Sequence, residues 1–480
     1  MARAEGRGVT PQSEDFSAWY NELVLKAELV DRGPVRGTMV IRPYGYRIWE
    51  LIVAELDERI KATGHQNAYF PLLIPEAHLK KEADHVEGFA PELAVVTHAG
   101  GEDLEEPLVV RPTSETVIGE TFARWIDSYR DLPLLINQWS NIVRWELRPR
   151  LLLRTTEFLW QEGHTAHVDE KDAAREVAVA TGFYEEVSQD ECAIPVIVGD
   201  KTPTERFPGA VRTVTLEAMM RDGRALQAAT SHYLGTNFAE AFDITYTGPD
   251  GVRTNCHTTS WGMSTRILGG LVMVHGDDRG LILPPLVAPF QVVIVPIGKG
   301  DEFAKTNRAA RLLADSLVAG GVRVHVDERQ HVSAGFKFND WELRGVPIRV
   351  ELGPRDLAAD SVVVVERIEA SKQTESTVDF VEGIYERLYT FQAALFARAL
   401  AFRDEHTRRV DTFDALVDAV EDGFAYSFHC GDEVCERRFQ EQTGATPRCI
   451  PRDEPEAEGI CPICGKPSAY GKRIVFARAY

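Results

Sequence analysis

The 480-residue chain is 44% hydrophobic and 26% charged, the balance of a folded globular protein rather than a disordered or fibrous one. A net charge of −21 argues against a basic nucleic-acid coat, and the least acidic large window, 299–355, holds ten Lys/Arg against eight Asp/Glu, so any RNA-facing surface is expected there. There is no run of about 18 apolar residues and the start shows no apolar signal segment, so a cytoplasmic location without a membrane span is expected.

At about 150 residues per domain, the length suggests roughly three domains. Residues 16–63 read as helix, turn, helix. In the second helix, Gly45 to Thr63, Ile48, Ile52, Leu56 and Ile60 recur every four residues as one apolar stripe, with Gly64 placed to cap its end. Ala68 to Pro75 reads as a strand whose prolines put it at an edge or a subunit contact. Leu108 to Arg111 is strand-like and leads through Pro112-Thr113-Ser114-Glu115 into a helix over Thr116–Tyr129. Leu134–Glu146 and Thr156–Trp160 then read as a hairpin joined by a basic connection with Arg148, Arg150 and Arg154.

Asp169–Gln189 is an amphipathic helix, and 193–247 reads as short strands and turns. Gly262-Met263-Ser264-Thr265-Arg266 opens a long apolar helix that ends at Gly276-Asp277-Asp278-Arg279-Gly280. Many strands with few βαβ repeats imply an antiparallel sheet flanked by helices. Pro284, Pro285 and Pro289 mark a boundary. Beyond them a strand at Gln291–Pro296, a helix at Asp301–Ala319, and strands at Val322–Val326, Pro347–Leu352 and Ser361–Glu366 alternate as in a small, mostly parallel α/β unit. Thr377–Glu405 is one long helix. No internal repeat is present.

Seven cysteines include three that stand alone; Cys192 and Cys256 read as ordinary buried thiols. The other four pair as Cys430-x4-Cys435 and Cys461-x2-Cys464. In a reducing compartment such paired spacings point to metal rather than disulfides, and four thiolates make a closed tetrahedral structural zinc site.

Two arginines pose the functional question. Arg144 lies in Val143-Arg144-Trp145-Glu146 and Arg266 closes the Gly262 stretch, yet the chain has no GxxxxGK[ST] loop and no strand–GxGxxG–helix unit. A protein that handles a nucleotide without those loops must grip phosphate with side chains, for which the planar guanidinium is suited. Alone, each arginine reads as surface charge. Arg144 and Glu146, two apart on a strand, would share one face, where buried charge needs a compensating ligand. His164 and His167 lack a third ligand and read as pocket wall or sheet packing, and His257 as structural.

The order Gly64…Pro71, Val143-Arg144-Trp145-Glu146 and Gly262…Arg266 resembles motifs 1, 2 and 3 of class II aminoacyl-tRNA synthetases. Pro112-Thr113-Ser114-Glu115, Phe158-Leu159-Trp160-Gln161-Glu162-Gly163-His164 and Ala229-Thr230-Ser231-His232-Tyr233-Leu234-Gly235 are similar to the prolyl-tRNA synthetases of the archaeal and eukaryotic-like type. The opening Glu14-Asp15-Phe16-Ser17-Ala18-Trp19-Tyr20 and the closing Ala477-Arg478-Ala479-Tyr480 fit as well, so the resemblance spans nearly the whole chain. It implies an α+β fold: a catalytic domain over 1–285, an anticodon-binding α/β domain with its connecting helix over 286–405, and a zinc-binding α/β domain over 406–480.

The resemblance also implies ATP, magnesium carried by ATP, L-proline and tRNA(Pro) as partners, and a homodimer formed through motif 1. It implies catalytic roles for Arg144 at the α-phosphate and Arg266 at the γ-phosphate. Arg154, Thr155, Gln227, Thr230 and Ser264 would complete the nucleotide contacts, with Glu146 near adenine or metal. Thr113, Glu115, Arg144 and His232 would hold proline, and the Tyr480 carboxylate would approach the active site. Glu351, Arg355 and Lys372 are candidates for reading the two guanines of proline anticodons. A threonyl or glycyl enzyme, or a regulatory paralogue that keeps the fold without catalysis, are the alternatives. The bacterial type of this family carries an editing domain between motifs 2 and 3. Here only 59 residues separate His167 from Gln227, fewer than the about 100 an independent domain needs.

Overall fold

The computed structural model describes residues 8–79, 93–369 and 371–480; the opening seven residues, read above for a signal segment, lie outside them. Its centre is an eleven-stranded sheet. Across the sheet the strands run Thr407–Arg409, Phe424–Ser427, Ile474–Arg478, Ala445–Pro451, Val196–Asp200, Arg212–Met219, Ala225–Gly235, His257–Ser264, Glu157–His167, Leu134–Val143 and Gln66–Asn67. Only the two outermost pairings, at either end, are parallel. The antiparallel sheet expected from the pattern is therefore present, and four strands from beyond residue 406 extend it. At that junction Ile450 pairs with Asp200 and Pro451 with Gly199. A Cβ on Gly199 would lie 2.4 Å from the Ile450 carbonyl oxygen, so the close approach of the two strands requires glycine.

The helix Pro43–Ala62 starts on Pro43, whose fixed φ suits a first helical position. Its stripe of Ile48, Ile52, Leu56 and Ile60 is buried to within 2%, each side chain contributing about 1.5–3 kcal/mol by leaving water. Thr63 closes the helix and Gly64 follows in the left-handed region at φ +94°, as a helix C-terminus favours. Behind the sheet, the helix Glu170–Glu186 packs Tyr184 edge-on to Trp261. That indole covers Gly163, where a Cβ would sit 2.1 Å from the ring.

Several expected elements differ. Ala68–Pro75 is not one strand: Gln66–Asn67 edges the large sheet, while Leu73–Pro75 joins Glu102–Val110 and Ala94–Ala99 in a separate three-stranded sheet. The helix expected to reach Tyr129 spans Glu115–Trp125, because the Asp131 carboxylate captures the backbone N–H groups of Asp127 and Ser128 and pulls the chain away. The hairpin's second strand continues to His167, and 212–235 forms two long strands rather than short ones. After residue 291 a five-stranded sheet runs Val324–Val326, Val292–Pro296, Ile348–Leu352, Ser361–Glu366, Lys372–Ser376. Its first three strands are parallel and the last two antiparallel, so it is mixed rather than mostly parallel. Strand direction leaves no mark in a short apolar run.

Candidate active site

Four neighbouring strands form the floor of a cleft. Side chains alternate faces along a strand, so Thr213, Thr215 and Glu217 share a face with Thr230 and His232, with Ser260 and Ser264, and with Phe158, Trp160, Glu162 and His164. The register aligns Thr213, His232, Ser260 and His164 in one row across the sheet. Above this floor lies a cavity of about 300 Å³, and beside it a second lobe of about 200 Å³. Arg144, Phe158, Ser264 and Arg266 line both.

Thr113 and Glu115 stand in the larger lobe, where the Thr113 hydroxyl donates to the Glu115 carboxylate. They are placed by Arg111, a fully buried arginine that donates to the carbonyls of Phe70 and Asn141. The next residue, Ser114, donates to Glu162 Oε1 at 2.6 Å, and Gln138 donates to the same oxygen at 2.7 Å. His164 contacts Glu162 Oε2 at 2.9 Å. Burial lowers the His164 pKa, but the hydrogen bond and charge of Glu162, with the charge of Glu115, outweigh it and raise the imidazole above its ordinary value. His164 is thus cavity wall, as read from the sequence, with a carboxylate partner that its spacing to His167 does not reveal. His167 is bound instead by Thr165 and Asp172.

His232 is held at both ring nitrogens, by Thr213 Oγ1 at 3.0 Å and Thr230 Oγ1 at 3.1 Å. The Phe207 ring stacks on it at 4.4 Å. Phe207 belongs to a wall over 201–208 that also presents Lys201, Glu205 and Arg206 to the cavity. None of these was singled out from the sequence, since a loop of mixed charge carries no periodic signal.

The strand Leu134–Val143 ends one residue before Arg144. Arg144 and Glu146 therefore lie past the strand rather than on one strand face, although both line the second lobe: the chain bends at Leu147–Arg148 and turns over Leu151–Leu153 to open the hairpin. Arg144 Nε donates to the Pro112 carbonyl at 3.0 Å, which aims the guanidinium where the lobes meet, 5.8 Å from the Phe158 ring centre. Glu146 lines the second lobe only, accepting from the Arg148 N–H and facing Arg154 Nη1 at 4.0 Å. Arg154 and Thr155 line that lobe too. Gln227 and Thr230 line the larger one.

Arg266 is the first residue of the helix Arg266–His275. Its N–H meets Ser264 Oγ at 3.3 Å and its Nε donates to the Leu153 carbonyl at 3.0 Å. Burial, and then the charges of Arg154 and Arg144, push its pKa down to about 10. Three guanidiniums converge on one region, and mutual repulsion of that kind is relieved by a polyanion.

The remaining candidates lie elsewhere. Glu351 is buried, with Arg349 Nη2 at 3.1 Å and Lys372 Nζ at 2.7 Å on its two oxygens. Arg355 is exposed on the short helix Pro354–Ala358. The sulfurs of Cys430, Cys435, Cys461 and Cys464 all lie within 4.8 Å of one another. A zinc ion with sulfurs at about 2.3 Å in a tetrahedron separates them by about 3.8 Å, so the four thiols fit a zinc site. Burial opposes ionisation of Cys464, but the Lys466 N–H and the neighbouring thiols lower its pKa. Cys192 and Cys256 are buried free thiols.

Three family models match the chain: a class II tRNA synthetase core domain (G, H, P, S and T) over 96–275, an anticodon-binding domain over 291–387 and a prolyl-tRNA synthetase C-terminal domain over 413–480. A proline–tRNA ligase 2 from Rhodococcus jostii is 62% identical, with all of both chains covered. A proline–tRNA ligase from Mycobacterium leprae is 59% identical over 99% of each chain, and one from Deinococcus radiodurans 50% over 100% of this chain and 97% of its own. The crystal structure of prolyl-tRNA synthetase from Cryptosporidium parvum, complexed with halofuginone and AMPPNP, superposes with a TM-score of 0.94. It is 40% identical and covers 99% of this chain and 100% of its own.

Proposed function

The chain belongs to the class II prolyl-tRNA synthetases, and from that premise we propose how its cleft attaches L-proline to tRNA(Pro) in two steps through prolyl-adenylate. The observation that carries the reading is the pair of lobes joined at Arg144 and Arg266, with a carboxylate in one and a cluster of arginines over the other.

Proline enters the larger lobe. Its cationic ring nitrogen pairs with Glu115 and Thr113, and its ring lies against His232. ATP, carrying magnesium on its phosphates, occupies the second lobe and the passage between them. Arg154, Thr155, Gln227, Thr230 and Ser264 contact the nucleotide, and Glu146 stands near adenine or the metal. The proline carboxylate attacks the α-phosphorus and pyrophosphate departs. Negative charge grows on the α-phosphoryl oxygens, where Arg144 stabilises it, while Arg266 holds the γ-phosphate. Positioning and charge neutralisation carry the step, since phosphoryl transfer needs little covalent help. A terminal ribose hydroxyl of the tRNA then attacks the activated carbonyl and AMP leaves.

We assign residues 1–285 to catalysis, 286–405 to anticodon binding and its connecting helix, and 406–480 to a zinc-binding domain held by Cys430, Cys435, Cys461 and Cys464. Bound zinc would fix the two cysteine turns together and take no part in the chemistry. Glu351, Arg355 and Lys372 are proposed to face the anticodon; an exposed lysine paired to a buried carboxylate supports a surface poised to exchange partners. The open edge at Gln66–Asn67, next to Tyr69 at 71% exposure, supports a homodimer through motif 1. A cytoplasmic location accords with a role in translation, and no described helix is long and apolar enough to cross a membrane.

Three of the four named relatives are bacterial, yet we read the architecture as the archaeal and eukaryotic-like type without an editing insertion. The support is that 168–224 is taken up by the helix Glu170–Glu186, the turn Val187–Glu191 and two strands of the main sheet. Amino-acid-dependent ATP–pyrophosphate exchange across the twenty amino acids tests the function. Proline should dominate. Dominance of threonine or glycine, or no exchange at all, would overturn the reading in favour of a related synthetase or a non-catalytic paralogue.

A further inference from the structure

The wall over 200–211 has two sides. Inward, Phe207 stacks on His232 and Lys201 lines the larger lobe. Outward, the C-terminal segment grips it. The strand Ala445–Pro451 pairs with Asp200 where the wall begins, and Thr204 donates to Glu436 on the helix Glu433–Thr443. Arg448, only 7% exposed, reaches Glu205 at 4.0 Å and Glu217 more closely.

Glu217 is completely buried. Its carboxylate accepts from Arg448 Nε at 3.2 Å and Nη2 at 3.1 Å, from Lys201 Nζ at 2.9 Å and from Thr215 Oγ1 at 2.8 Å. An anion with no solvent is stable only while its cations stay in place, and removing one partner leaves uncompensated charge. Lys201 would then have to serve Glu217 alone, and it carries the start of the wall. Arg448 also presents a two-pronged fork that lysine cannot reproduce.

We propose that Arg448 is a positioning residue for the amino-acid lobe: through Glu217 and Lys201, and through Glu205, it fixes the 200–211 wall and thereby the seat of Phe207 on His232. This rests on the reading of that lobe as the proline site. The second lobe takes no side chain from 200–211, so the effect falls chiefly on the amino-acid lobe; toward Arg266, which lines both lobes, the charges of Glu217 and Arg448 act in opposite senses.

The test uses the full-length, zinc-loaded protein in ATP–pyrophosphate exchange, with proline and ATP varied in turn, and thermal melting of each variant. Proline exchange by the unaltered protein is the control; its absence overturns the functional reading and, with it, the proposal that rests on it. Given that activity, Arg448→Ala is expected to raise the proline KM about tenfold, leaving the ATP KM within about twofold. Arg448→Lys, which keeps the charge and loses the fork, should fall between. If the alanine variant does not fold, the lysine variant alone decides. A proline KM within about twofold of the unaltered value in a folded variant, or equal rises in both KM values, would overturn the proposal.

Discussion

His164 Nε2 and Glu162 Oε2 lie 2.9 Å apart on the floor of the larger lobe, and both side chains are buried. Glu162 also receives Ser114 and Gln138, so one carboxylate ties together the strand Glu157–His167, its neighbour Leu134–Val143 and the turn that presents Glu115. The His164 pKa is raised. A raised imidazole adds stability that is fully present below the unfolded value, about 6.5, and is lost as pH climbs through the folded value. His164→Gln should therefore destabilise the protein more near pH 6 than near pH 9 in urea melts. A gap that stays constant with pH would contradict the charged pair.

Glu217 titrates in the opposite sense. Burial raises its pKa, but the charges of Arg448 and Lys201 and hydrogen bonds from Lys201 and Thr215 bring it down to about 2. A depressed carboxyl adds stability present above its unfolded value and lost as pH falls through the folded one. Glu217→Gln should flatten the loss of stability between about pH 4.5 and pH 2, measured by acid titration of the circular dichroism signal.

The four-cysteine cluster predicts about one zinc per chain by elemental analysis. Chelation, or Cys461→Ser, should lower the melting temperature. Because Ala445–Pro451 is joined to the main sheet at Gly199, the loss should reach the active site and reduce proline activation. Full activity and unchanged melting after metal removal would show the cluster to be dispensable.

Alanine should be activated as well. It is smaller than proline, and a methylene in an apolar pocket discriminates by only about 1–3 kcal/mol. Under the proposed architecture without an editing insertion, alanyl-tRNA(Pro) should persist when incubated with the protein. Its rapid hydrolysis would reveal a correcting site.

The sequence carries the helix of Ile48, Ile52, Leu56 and Ile60, the Cys cluster and the polar signatures around Glu115, Arg144, His232 and Arg266. Each is either strongly periodic or chemically unusual. It does not carry strand direction in the five-stranded sheet, or the end of Leu134–Val143 before Arg144, because apolar runs look alike in either direction and the hairpin turn lies several residues beyond, over Leu151–Leu153. The union of Arg448 with Glu217, 231 residues away in the chain, has no local trace at all. Glu162 was legible as part of a motif, but its role as the hub for Ser114, Gln138 and His164 emerges only when two strands pair and the turn before Glu115 packs against them.

Arg144, shared by both lobes, is proposed to stabilise the reacting phosphate. Proline-dependent ATP–pyrophosphate exchange by Arg144→Ala beside the unaltered protein tests it most directly. A loss on the order of a hundredfold or more is expected, as for other groups that meet developing charge, with melting temperature and tRNA binding nearly unchanged. Exchange by the variant at the unaltered rate would contradict it.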